Sequence, residues 1–297
     1  MPLNIKIAGL IWLIILGSCQ TNSIRENDTP DVIRKSKQEQ FIRKLYSNKL
    51  LATDSIDSIK LVITSICLKT QYLNRISINN GYDSTKLNFY IVDSKKDSSL
   101  RNLCAFAGRN TIFLDRIFLD DYIKSLTFYR ELTIGEQNQF RRAFQFWVIG
   151  HEIAHADLGH TGGHFINSLL PKTQAAAKKF HGLELAADEK CLSYISNNEK
   201  AVLSNTLCRV FNSTYERLYG RISNDNKYLK FNNDPYLIFP YKLDGSHPSM
   251  PIRTAIMLYL INENSIERQE AYEFLLESQI HFIKELDNDP NIFNARR

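Results

Sequence analysis

The sequence has few cysteines, and none of them are spaced as in small metal or redox motifs. Its 297 residues include five cysteines, and no two form a C-x-x-C pair. A zinc ribbon and a thioredoxin-like redox pair both need that pair, so both classes are excluded. Cys67, Cys104, Cys191 and Cys208 follow the N-terminal region. A disulfide between some of them is compatible with the sequence, but buried thiols are the simpler interpretation.

The sequence also lacks internal repeats, low-complexity tracts and a dense basic stripe. A helix that crosses a bilayer needs about 20 apolar residues, and no such run follows the N-terminal segment. The formal net charge of +5 is spread over many lysine and glutamate positions, which predicts a solvated surface and no nucleic-acid partner. With 43% hydrophobic and 23% charged residues, the composition is typical of a large globular domain.

The N-terminal segment is typical of an export signal. Lys6 is followed by an almost wholly apolar run, Ile7–Leu16, which is too short to span a bilayer comfortably. Small residues then precede Cys19, and this arrangement resembles the lipobox of bacterial lipoprotein signal peptides. The alternatives are an ordinary signal peptide with an incidental cysteine and a short uncleaved anchor. We predict a signal peptide over residues 1–18, lipid attachment at Cys19, a polar tether over residues 19–30 and one folded domain over residues 31–297.

The chemically most informative segment is His151–His155, which reads H-E-I-A-H at the end of an apolar helical stretch. Residues four apart lie on one face of a helix, so both histidines can direct a ring nitrogen at a single metal ion. Glu152 lies beside them, where it can act as general base toward a water molecule on the metal. The spacing predicts a catalytic zinc site with one open coordination position. A chance occurrence of this short pattern is the alternative.

A catalytic zinc site needs a third protein ligand, and Glu184 is the best candidate. The segment Glu184–Asp188 reads E-L-A-A-D, so its two carboxylates share one helical face. Glu184 could bind zinc while Asp188 accepts the free ring N–H of a ligand histidine, which selects the tautomer. A solvated acidic face is the alternative. His160 is predicted to lie near the ligands or at the surface, without binding the metal.

Four segments of the chain resemble peptidase family M48, the group of the heat-shock protease HtpX and the CAAX prenyl endopeptidase. They are the zinc helix with His160 beyond it, the Glu184–Asp188 segment, the strand region Leu87–Leu114, and His247-Pro248-Ser249 followed by Arg253. They occur in the family's order and cover about residues 86–258. The resemblance implies an α+β, predominantly helical, zincin-like fold with a small β-sheet edge beside the H-E-x-x-H helix.

The resemblance also implies roles for the metal-site residues. His151, His155 and Glu184 would bind zinc, Glu152 would be the catalytic base, and Asp188 would support a ligand histidine.

Further positions would contact the substrate. His247 and Arg253 would lie near it and could stabilise the oxyanion, although a helix start and an ordinary surface arginine are the alternative. Ile112, Phe113 and Leu114 would form an edge strand that pairs with an extended substrate.

These features predict a zinc endopeptidase with one zinc ion per chain, acting at the bacterial cell envelope. Its partners would be a protein or peptide substrate and the membrane, reached through the lipid anchor at Cys19. The alternatives are another kind of His-His-Glu peptidase, a structural zinc site, and a non-catalytic envelope lipoprotein that binds a partner protein.

Overall fold

The computed structural model describes residues 30–54, 56–101, 103–160, 174–223 and 250–262, together with residues 266, 268–271 and 273. The predicted signal peptide, the lipid-attachment residue Cys19, nearly all of the tether, and His247 lie outside the described residues. Within the described ranges the protein is predominantly helical and contains one small sheet. The predicted α+β class is therefore confirmed.

The described residues form seven α-helices and four strands. In chain order they are α1 Pro30–Ser47, α2 Asp57–Cys67, β1 Ile76–Ile78, β2 Leu87–Val92, β3 Cys104–Gly108, β4 Thr111–Asp115, α3 Phe118–Ser125, α4 Ile134–Asp157, α5 Gln174–Leu192, α6 Asn197–Ser223 and α7 Met250–Ile261. Of the helices in these ranges, none is both long and apolar enough to cross a bilayer.

The four strands form one mixed sheet in the order β1-β2-β4-β3. Strand β2 pairs in parallel with β1 and with β4, whereas β3 and β4 pair antiparallel. The chain reverses between β3 and β4 through Arg109 and Asn110, whose φ angles are 48° and 54°. Two successive residues with positive φ are typical of the tight turns that join hairpin strands.

The position of β4 corrects one sequence prediction. Ile112, Phe113 and Leu114 belong to β4, which is paired with β2 on one side and with β3 on the other. The prediction that they form an edge strand is therefore wrong, because a strand paired on both sides has no backbone groups left for a substrate. The hairpin makes β3, the segment just before them, the edge strand of the sheet on this side.

The sheet is buried on both faces. Leu87, Phe89 and Ile91 of β2 join a large apolar cluster with residues of α2 and α4. Tyr90 and Val92 point the other way, into a smaller cluster with residues of α1. Strands buried on both faces are continuous apolar runs, as β2 is here. The sheet thus lies between α1 and the layer that contains α4.

Helix α4 carries the H-E-x-x-H segment and is capped at both ends. At its start, the Glu136 N–H donates to Thr133 Oγ1 (3.3 Å) and the Thr133 N–H donates to the Glu136 carboxylate (2.9 Å), which forms a capping box. At its end, Gly159 has a φ of 68°. This conformation lets the His160 N–H donate to the carbonyl of His155 at 2.9 Å. The capping turn therefore returns His160 to the last turn of α4.

Helices α4 and α5 approach closely because α4 has a glycine at the contact. A Cβ atom on Gly150 would lie 2.6 Å from Cys191 Sγ, which is closer than van der Waals contact allows. Cys191 and Cys67 are buried, and no disulfide joins the cysteines in the described part of the chain. The buried thiols therefore act as small packing groups, as the simpler interpretation of the sequence predicts.

Candidate metal centre

One face of α4 is lined by Trp147, His151 and His155, which are spaced four residues apart and are all buried. Helix α5 packs against this face and contributes Glu184 and Asp188, both with no exposed surface. Polar side chains are buried only where partners compensate the loss of water. The contacts of these five side chains therefore decide what the site can do.

Three potential ligand atoms converge on one point between α4 and α5. His151 Nε2 lies 3.0 Å from Glu184 Oε2 and 3.1 Å from His155 Nε2. His155 Nε2 lies 3.5 Å from Glu184 Oε1. The three residues could hold a metal ion.

The spacing of these atoms fits a tetrahedral metal ion. Zinc binds histidine nitrogen and carboxylate oxygen at about 2.0–2.2 Å, which places neighbouring ligand atoms of a tetrahedral site about 3.3 Å apart. The three separations of 3.0, 3.1 and 3.5 Å bracket that value. Two imidazole nitrogens and one carboxylate, with a fourth direction left over, also match the ligand set of catalytic zinc sites.

Asp188 supports the first histidine from behind. Its Oδ1 atom accepts hydrogen bonds from the Trp147 indole N–H at 3.1 Å and from the Arg253 Nη2 group at 2.7 Å, and it lies 2.9 Å from His151 Nδ1. Its Oδ2 atom accepts from Arg253 Nε at 2.9 Å. The carboxylate thus bonds to donors from both α4 and α7, which accounts for an anion in a fully buried position.

These contacts assign the tautomer of His151. The Arg253 Nη2 atom lies 3.0 Å from His151 Nδ1. An arginine only donates hydrogen bonds, and a protonated Nδ1 also only donates, so these two atoms do not bond to each other when Nδ1 is protonated. The Asp188 carboxylate can accept from both groups, so we assign a proton to Nδ1, which leaves Nε2 as the nitrogen that a metal can bind. Nε2 is the atom that faces Glu184 and His155. The tautomer required for metal binding is therefore the one that Asp188 favours.

The charges at the site are strongly coupled. Burial and the Arg253 cation act to lower the pKa of His151, but the Asp188 and Glu184 carboxylates outweigh them and raise it to about 9. Burial acts to raise the pKa of Asp188, but the Arg253 cation and His151 hold it well below its usual range. Asp188 raises the pKa of Arg253 in turn. Asp188 and Arg253 are therefore an ion pair at every physiological pH.

The second histidine is supported by another histidine. The capping turn after α4 places His160 Nδ1 2.8 Å from His155 Nδ1. The His155 Nε2 atom faces the other ligands, so Nδ1 carries the proton and donates it to His160. Burial and the neighbouring His155 lower the pKa of His160, which favours the neutral ring that can accept this bond. The two ligand histidines thus differ in support: one faces a carboxylate, the other an imidazole.

Glu152, the residue after the candidate ligand His151 on α4, contacts the sheet. Its Oε2 atom accepts a hydrogen bond of 2.6 Å from the backbone N–H of Phe106 in β3. The Phe106 ring lies parallel to the His155 ring, with 6.2 Å between the ring centroids. The edge strand therefore contacts both the candidate base and a candidate ligand.

No family model, curated protein or solved structure matches this chain.

The structure brings together four residues that the sequence predicts for one site: His151, His155, Glu184 and Asp188. The predicted base Glu152, next to His151 on α4, is buried and bonds to the Phe106 N–H. The structure also shows the contacts of a sixth predicted residue, Arg253. The guanidinium group binds Asp188 on the Nδ1 side of His151, whereas the candidate ligand atoms meet on the Nε2 side. In the structure Arg253 therefore supports Asp188, and its role at an oxyanion stays a prediction.

Two contributors to the site were missed by the sequence analysis. Trp147 lies one helical turn before His151, so the four-residue spacing could have placed it on the ligand face. Phe106 contributes its backbone N–H group. Every residue except proline has such a group, so the residue type gives no signal, and only the folded sheet shows that this N–H faces Glu152.

Proposed function

We propose that the protein is a zinc-dependent endopeptidase in which His151, His155 and Glu184 hold the metal and Glu152 is the general base. The observation that supports this proposal is the convergence of two Nε2 atoms and one carboxylate at the spacing of a tetrahedral site. The resemblance of the motifs to family M48 points to the same activity. The predicted lipid anchor on Cys19 would place the enzyme at the bacterial cell envelope.

Each side chain has a defined task in this proposal. When bound, zinc would lower the pKa of a coordinated water and polarise the scissile carbonyl group. Glu152 would take the proton of the attacking water and return it to the leaving amine. The Phe106 N–H would orient the Glu152 carboxylate, and Asp188 and His160 would hold a proton on the Nδ1 atom of each ligand histidine, so that Nε2 is the atom left for the metal.

The sheet suggests how a peptide would approach. Strand β3 is the edge strand of the sheet, and its Phe106 N–H faces Glu152. An extended peptide laid along the outer side of β3 would bring its backbone to the base, so β3 replaces Ile112–Leu114 as the candidate substrate strand.

The proposal is tested with the full-length chain purified in mild detergent, in parallel with the variants Glu152→Gln and Glu184→Ala. Bound zinc is quantified by mass spectrometry, and cleavage of unfolded casein is followed. We expect close to one zinc per chain in the parent and in Glu152→Gln. General acid–base groups contribute about 10²–10⁴-fold to rate, so Glu152→Gln should lose at least about 100-fold in cleavage.

Glu184→Ala should lose zinc, whereas Glu189→Gln, which changes an exposed carboxylate on the same helix, should retain both zinc and activity. Absence of zinc from the parent would overturn the metal assignment. Zinc binding with equal cleavage by Glu152→Gln would overturn the base assignment. Zinc binding without cleavage of casein or of envelope proteins by the parent would favour a non-catalytic metal protein.

A further inference from the structure

We propose that Trp147 is a positioning residue of the metal centre, acting through Asp188 on His151. The inference rests on the proposed metal site and adds a residue that neither binds the metal nor contacts substrate. Two parts of the indole support the proposal. The N–H group contacts Asp188, and the ring face contacts Arg253.

The indole N–H helps to orient the carboxylate that supports His151. The Asp188 Oδ1 atom is shared by three donors: Trp147 Nε1, His151 Nδ1 and Arg253 Nη2. Arg253, on α7, binds both oxygens of the carboxylate and so orients it relative to α7, but this pair does not join the carboxylate to α4. Trp147 and His151 lie one turn apart on α4, and their two donors fix Oδ1 against that helix.

The ring face supports the opposing cation. The guanidinium group of Arg253 lies over the Trp147 ring, with its carbon 5.4 Å from the ring centroid. This is the geometry of a cation–π contact, which is strongest with tryptophan and in a desolvated position. One side chain therefore binds both members of the Asp188–Arg253 ion pair.

An ordinary core role for Trp147 would produce a different result. The residue is 1% exposed and packs edge-on against Phe144, with the ring centroids 5.9 Å apart. If packing were its only role, a smaller aromatic ring would cost stability and leave the metal affinity unchanged. If it positions Asp188, the loss of the N–H alone should weaken metal binding.

The test compares Trp147→Phe with Phe144→Leu in the full-length protein. Phenylalanine keeps a ring and removes the N–H, whereas Phe144→Leu disturbs the same packing without changing any hydrogen bond of Asp188. Loss of groups that orient metal ligands typically weakens metal affinity about 10–100-fold, and we expect a zinc dissociation constant raised within that range for Trp147→Phe. Phe144→Leu should lower the melting temperature and leave zinc affinity within about twofold.

A thermodynamic cycle with Asp188→Ala, which removes the acceptor of the indole N–H, separates a direct effect from one that acts through the carboxylate. If Trp147 acts through Asp188, adding Trp147→Phe to Asp188→Ala should weaken zinc binding no further. An unchanged zinc affinity in Trp147→Phe, an equal loss in Phe144→Leu, or full additivity with Asp188→Ala would each overturn the proposal. Absence of zinc binding by the parent would instead overturn the proposed function.

The chain also offers a readout that does not depend on the folding of these variants. Trp147 and Trp12 are the two tryptophans of the sequence, and Trp12 lies in the predicted signal peptide, so Trp12→Phe leaves Trp147 as the only indole whether or not that peptide is removed. Zinc titration of Trp12→Phe should change the tryptophan emission and saturate at one equivalent, and Glu184→Ala in the same background should show no change. An emission insensitive to zinc in a protein that binds it would overturn the positioning role.

Discussion

His155 Nδ1 lies 2.8 Å from His160 Nδ1, and this contact couples a candidate metal ligand to the residue that follows its helix cap. Only one of the two nitrogens can carry a proton in such a bond. The assignment that leaves His155 Nε2 available to a metal makes His160 the acceptor. The contact is possible because Gly159 adopts a positive φ and returns the chain to α4.

The first prediction concerns this support. His160→Ala removes the acceptor of the His155 ring N–H, which should weaken zinc binding by about tenfold because the ligand tautomer is no longer favoured. Competition with a chelator of known affinity measures the change. Leu158→Ala, at an exposed position in the same turn, is the matched control and should leave the affinity unchanged. Equal affinities of His160→Ala and the parent would show that His155 needs no such support.

The second prediction is a pH dependence of metal binding. The pKa of His151 is raised to about 9, so at neutral pH its ring carries a second proton, on Nε2, that the metal must displace. Zinc affinity should therefore fall as pH falls, by about tenfold per unit below the raised pKa for this one proton. Dissociation constants measured between pH 7 and about 9 test this slope. Equal affinities across that window would contradict the coupling between His151 and the two carboxylates.

The same shift has a consequence for folding stability without added metal. The folded pKa is raised from 6.5 to about 9, so the contribution of His151 is fully present below pH 6.5 and is lost as pH rises through about 9. The free energy of unfolding of chelator-treated protein should thus fall as the pH rises from 6.5 to about 9. Saturating zinc should reverse the trend, because the metal replaces the proton on the ring.

The third prediction concerns the buried ion pair. Arg253→Met removes the guanidinium partner of the buried Asp188 carboxylate, which should lower the free energy of unfolding by about 3–5 kcal/mol. Denaturant unfolding measures the change. Arg209→Met provides the control, since Arg209 lies 3.9 Å from Glu136 in a largely exposed pair and its loss should leave the free energy of unfolding nearly unchanged. Similar costs for the two variants would contradict the assignment of Arg253 as the partner of Asp188.

The fourth prediction concerns the contact between α4 and α5. Gly150→Ala would place a methyl group 2.6 Å from Cys191 Sγ, so the helices must separate, and we expect a loss of about 1–3 kcal/mol in unfolding free energy. Removing the opposing thiol with Cys191→Ala should restore part of that loss. Gly135→Ala, at a position of α4 with open space around it, should be neutral or stabilising. No difference between the two alanine variants would contradict the close approach.

Much of the candidate site was predictable because it depends on short-range helical geometry. The four-residue spacings of His151 with His155 and of Glu184 with Asp188 place each pair on one helical face, whatever the rest of the fold does. The strand Leu87–Val92 was predictable for a similar reason, since a short apolar run with aromatic and β-branched residues favours a buried strand.

The sequence did not predict that β3 is the strand that contacts Glu152. The sequence indicates strand-forming residues from Cys104 to Leu114, but which half forms the edge depends on the turn at Arg109 and Asn110 and on pairing with β2. The two halves, Cys104–Gly108 and Thr111–Asp115, are both short apolar strands, so local strand propensity does not show which one lies at the edge of the sheet. The long-range pairing of β2 with β4 decides the order and leaves β3 next to Glu152.

The sequence by itself determined the helical class of the protein, the two histidines and the two carboxylates of the candidate site, because these follow from the period of the α-helix. Only the tertiary structure decided that Arg253 supports Asp188, that Trp147 shares the same carboxylate, and that β3 contacts the base. Those contacts join residues far apart in the chain. Helix packing and strand pairing decide which of these distant residues meet, and a local sequence pattern does not predict either.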